Sequence, residues 1–122
     1  MQGDRELAAA QAARALQIAR DEEDALGEAD ALRILCIVHR VAGELDEAKR
    51  LGEQARDLAE RIAHSWTLAE VLRDLGDVHV AAADLKAAAG CYAAAAEAFT
   101  KAGASERADA LTRLARQISG NG

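Results

Sequence analysis

The stretch ADALRILCIVHRVAGELDEAKRLGEQA, residues 29–55, decides the fold when it is set against AEVLRDLGDVHVAAADLKAAAGCYAAA, residues 69–95. At this offset of 40, ten of 27 positions are identical: Ala29/Ala69, Leu32/Leu72, Arg33/Arg73, Leu35/Leu75, Val38/Val78, His39/His79, Ala42/Ala82, Leu45/Leu85, Ala48/Ala88 and Ala55/Ala95. Alanine matches are cheap in a chain with 32 alanines, so the leucine, valine, arginine and histidine matches carry the argument. A period of this length marks a repeat architecture. A third copy starts at Ala108-Asp109-Ala110-Leu111, which repeats Ala29-Asp30-Ala31-Leu32, and Leu114 repeats Leu35. That spacing is 79, so this reading places a one-residue deletion in the loop before it.

Each copy reads as two helices. Ala29, Leu32, Leu35 with Cys36, Val38 with His39, and Ala42 fall at helical spacing, and Gly43 stops the run. Leu45, Ala48, Leu51, Ala55, Leu58 and Ile62 form the second stripe. Asp24 and Asp84 are expected N-caps, and Ser105 is the expected cap of the last helix. The map is six helices near 4–22, 25–42, 45–63, 66–82, 85–101 and 105–118. Composition agrees. There is no proline to break a helix, alanine is the best helix former, and β-branched and aromatic residues are too few for sheets. The fold class is all-α, in antiparallel helix pairs. The shortage of large side chains points to close helix approach, with Ala42, Ala48, Ala55 and their copies Ala82, Ala88 and Ala95 at the contacts.

The pattern resembles the tetratricopeptide repeat in a long form of about 40 residues. Leu32, Leu35, Cys36, His39, Gly43, Leu45 and Ala48 fit it in one copy. Leu72, Leu75, Gly76, His79, Ala83, Leu85, Ala88, Tyr92 and Ala95 fit it in the next. Histidine stands at 39 and 79 where the family usually has tyrosine. Gly52 stands where a large residue is usual, and the repeat-end proline is absent. The start Gly27-Glu28-Ala29-Asp30-Ala31-Leu32 is similar to long repeats of bacterial signalling and transcription-regulating proteins. The resemblance implies a right-handed superhelix (an α-solenoid) organised as a half repeat (4–24), two repeats (25–64 and 65–103) and a half repeat (104–118). Terminal faces of a stack must be polar or covered. Two readings of the ends follow: a segment of a longer array, or a homodimer through the terminal half repeats.

Charge and motifs exclude several functions. A net charge of −6 opposes nucleic-acid binding and attraction to an anionic membrane. No apolar run approaches the roughly 20 residues of a membrane span. The first residues carry Asp4, Arg5 and Glu6 rather than an apolar leader, and two cysteines make no disulfide framework. A cytoplasmic chain with free thiols is expected. No phosphate loop or nucleophile motif is present, so neither an enzyme nor a cofactor is expected. Cys36-x-x-His39 lacks the further ligands a zinc site needs, and no metal is expected. The acidic run Asp21-Glu22-Glu23-Asp24 has Leu26 where a calcium loop needs glycine. Trp66 reads as a packing residue at a helix junction.

The resemblance implies that the first helix of each repeat lines a concave groove that binds a protein or peptide. In this chain those positions are Asp30, Arg33, Ile34, Ile37, Arg40 and Val41, then Glu70, Arg73, Asp74, Asp77, Val80 and Ala81. Arg33 and Arg73 form a ladder suited to a partner carboxylate. Against that stands a local reading, in which Asp30 and Glu70, three residues earlier, pair with them along each helix. The expected function is a protein–protein interaction scaffold. The alternative is a small-ligand sensor module of a bacterial regulator.

Overall fold

With no proline to interrupt it, the chain stays helical between short turns. The computed structural model describes residues 2–121. Its elements are α1 (Gln2–Asp21), α2 (Ala25–Val41), α3 (Leu45–Arg61), α4 (Ser65–Ala81), α5 (Leu85–Lys101) and α6 (Ser105–Asn121). There is no strand among the described residues. From α2 onward every helix is 17 residues long, and the starts fall at 25, 45, 65, 85 and 105. The turn before α6 therefore has the same length as the others. The expected deletion does not exist, and the Ala108–Leu111 match is one residue out of structural register. Ser105 is the first helical residue rather than the cap.

The turns share one mechanism. Their middle residues, Glu23, Gly43, Ala63, Ala83 and Gly103, all have positive φ, between 54° and 82°. In each turn all three backbone N–H groups bond back to carbonyls of the finished helix, as Ala42 N–H does to Val38, Gly43 N–H to Arg40 and Glu44 N–H to His39. This is the Schellman arrangement, which satisfies carbonyls that a helix end leaves unpaired. The next residue opens the following helix. Asp24 accepts from Gly27 N–H at 2.9 Å and Asp84 from Ala87 N–H at 3.2 Å, as expected. His64 does the same through Nδ1 for Thr67 N–H, at 3.3 Å. Turns of three residues suit αα-hairpins, and each helix here packs back along its predecessor.

Each helix packs against its neighbour in sequence, and α2 also touches α4. One core cluster gathers Leu32, Leu35, Leu51, Leu58, Val71 and Leu75; a second gathers Leu72, Tyr92, Phe99 and Leu111. Ala48, Ala55, Ala88 and Ala95 are fully buried, as the close-approach argument requires. Ala42 and Ala82 are exposed helix caps and not contact residues. Gly52 and Gly76 extend the same logic. A methyl on Gly52 would meet the Leu75 side chain, and one on Gly76 would run into the Tyr92 ring.

Candidate functional site

The residues expected to face a partner lie where α2 and α4 meet. On α2, Asp30, Ile34, Ile37 and Val41 fall at helical spacing on one face. On α4, Arg73, Asp77 and Val80 do so. Ile34 is 42% exposed, Val41 53% and Val80 42%. Ile37, Arg40, Glu70 and Asp77 are half-buried, and Asp30 and Ala81 are exposed.

Arg33 does not pair with Asp30, and the ladder does not stand free. The Arg33 guanidinium donates to Asp74 of α4 at 3.1 Å, and Arg73 Nε lies 3.9 Å from the other oxygen of the same carboxylate. Neither i,i+3 pair forms: Arg33 crosses from α2 to α4, and Arg73 approaches Asp74 within α4. Asp74 is one of two buried polar residues among those described, with Thr67. Burial raises its carboxyl above the ordinary value of 3.8, and the bond from Arg33 opposes that rise. On α2, partial burial also raises the Asp30 carboxyl, against the pull of Arg33 and with help from Glu70.

A second bond ties α4 to α5. The Tyr92 hydroxyl donates to Asp77 at 2.6 Å, and burial and this bond push its pKa upward. Gly76 lets the Tyr92 ring lie against the α4 backbone. Asp77 is thus partly committed to holding the helices together. Arg40 is different, because its Nε is buried with no hydrogen-bond partner, as is Arg33 Nε. Cys36 is buried, and burial raises its thiol to about 11, so it stays protonated near neutrality. His39 Nδ1 lies 3.0 Å from Glu44. Among the described residues no three His, Cys, Asp or Glu side chains gather as metal ligands.

The true register of α6 adds two residues at the matching places of the repeat. An offset of 40 brings Arg113 into line with Arg33 and Arg73, and Leu114 into line with Ile34 and Asp74. Leu114 is 36% exposed. The one-residue shift of the Ala108–Leu111 match hid both. Equal turn lengths were the signal that could have found them. Trp66 packs as expected at a junction, edge-on to Phe99 at 5.3 Å, with the Arg107 guanidinium 5.1 Å above its ring.

No helix of the described residues is long and apolar enough to cross a membrane. Compared with known proteins, the chain matches no family model, and no curated protein matches it significantly.

Proposed function

We propose that the chain is a non-enzymatic interaction scaffold of the long tetratricopeptide type, coiled as a right-handed superhelix. Its α2–α4 face, continued onto α6, is the concave surface that takes a partner helix or peptide. The carrying observation is the set of exposed branched side chains Ile34, Val41 and Val80 beside the Arg33–Asp74 pair. Covering each such side chain contributes about 1.5–3 kcal/mol when burial is complete. The pair fixes the spacing of the two helices that present them. The uniform 20-residue spacing of helix starts and the α2–α4 contact support the superhelix. A bacterial signalling or regulatory protein in the cytoplasm is the setting this reading favours.

The guanidiniums of Arg33 and Arg73 are already turned to Asp74, so apolar contact rather than an arginine ladder carries recognition in this reading. The small-ligand sensor would need Arg33 free to meet its ligand. The test compares capture by the wild-type chain with capture by Ile34→Asp/Val80→Asp, which alters exposed positions only. Loss of a specific partner with unchanged helicity is expected; equal capture of that partner contradicts the assignment.

A further inference from the structure

A groove of about 600 Å³ runs between α5 and α6, outside the face just described. Its α5 wall is Ala89, Gly90, Ala93 and Ala96, and Lys86, Glu97 and Arg116 stand on its borders. Forty residues earlier, α3 carries Lys49, Arg50, Glu53 and Arg56 at the places of those four small residues. A solvated helix face accepts the charges of α3, and α5 has lost them along the groove.

Gly90 sharpens the anomaly. It is exposed in the middle of α5, and nothing lies within 4 Å of where its Cβ would be. A mid-helix glycine costs about 1 kcal/mol relative to alanine. Gly52 and Gly76 offset that cost by admitting Leu75 and Tyr92. Within one chain Gly90 admits nothing, and it suits a second backbone approaching closely.

The charges indicate which one. Lys86, Gly90, Ala93 and Glu97 form a single line along α5, with spacings of four, three and four residues. This order is symmetric about the midpoint between Cys91 and Tyr92. A second α5, turned end for end, sets its Glu97 against Lys86 and its Lys86 against Glu97, with glycine opposite alanine between them. Neither Lys86 nor Glu97 belongs to an ion pair among the described residues. A two-fold interface uses the same patch on both subunits, so a patch complementary to itself is what it requires. We propose that this groove is a homodimer interface, in which α5 of a second copy packs antiparallel to α5. The C-terminal half repeat, α6, supplies the other wall of the groove through Thr112, Ala115 and Arg116, and the N-terminal half repeat has no part in it.

Sedimentation of the full chain at rising concentration tests the proposal, with a reversible dimer expected. Lys86→Glu and Glu97→Lys, each alone, set like charges together and are expected to raise the dimer dissociation constant about tenfold or more. The double swap, Lys86→Glu with Glu97→Lys, restores the pairing and recovers most of the loss. Gly90→Leu improves helix propensity and blocks close approach, so it should give a monomer that melts no lower than the wild-type monomer. Ile18→Glu, on the exposed face of α1, should leave the dimer intact. A wild-type chain that stays monomeric at all concentrations overturns the proposal. So does a dimer indifferent to Gly90→Leu, a double swap that recovers nothing, or a dimer dissolved by Ile18→Glu.

Discussion

Two residues show how small changes of atom count set the helix spacing. Gly76 sits against the Tyr92 ring, which is 3% exposed and held at its hydroxyl by Asp77. The ring cannot step aside for a methyl without breaking that bond. Gly76→Ala should therefore destabilise the fold by about 1–3 kcal/mol, although alanine is the better helix former. Urea denaturation reads the cost. Replacing Tyr92 by leucine in the Gly76→Ala background should recover part of it, because the two changes share one contact. Arg33 makes the complementary case. Its removal leaves Asp74 buried with only the more distant Arg73 nearby, so Arg33→Ala should cost about 1–3 kcal/mol at neutral pH. The pH dependence has a definite sign. The Asp74 carboxyl is raised in the folded state, so folding favours its protonated form. The contribution of Asp74 to stability is thus greatest at acid pH and falls as pH rises through the carboxylate range. Without Arg33 the rise grows. The gap between wild type and Arg33→Ala should be small near pH 3 and widen towards pH 7, at roughly 1.4 kcal/mol per unit of added shift. A gap independent of pH would show that the pair does not hold the charge on Asp74.

At the scale of elements, the turns are the repeated device. Five turns place five residues at positive φ, and only Gly43 and Gly103 are glycines. Ala63 and Ala83 hold a conformation that costs an L-residue roughly 1–2 kcal/mol. Glycine removes that strain and gives some back as added freedom of the unfolded chain, roughly 0.4–1 kcal/mol. Ala83→Gly should stabilise the protein by up to about 1 kcal/mol, seen as a higher melting temperature; a lower one would contradict the account of the turn. These turns also explain what was legible. Gly43 announced its stop, and Asp24 and Asp84 announced their starts, because their residue types suit those tasks. Ala63, Ala83 and the His64 cap carry no such mark. The alanine-rich end of the chain allowed a local likeness at Ala108–Leu111 to outweigh the loop length, and Arg113 and Leu114 were lost with it.

Across the whole molecule, the all-helical class was readable because missing proline, abundant alanine and a 40-residue period all point the same way. The candidate face was only partly readable. The resemblance put Ile34, Ile37 and Val41 together on one side of α2. It did not foretell that Arg33 reaches Asp74, because that contact depends on the stagger between helices 41 residues apart in sequence. The same stagger decides which groups remain for a partner: the branched side chains stay exposed, while Arg33, Asp74 and Asp77 are spent on holding helices together. In the proposed function the α2–α4 face takes the partner. Photocrosslinking groups placed singly at positions 34, 41 and 80, and at the exposed α3 positions 54 and 60, test it most directly in whole-cell extract. One common partner should crosslink from 34, 41 and 80 and be absent from 54 and 60. Crosslinks to one partner from 54 and 60, with none from 34, 41 and 80, would contradict it.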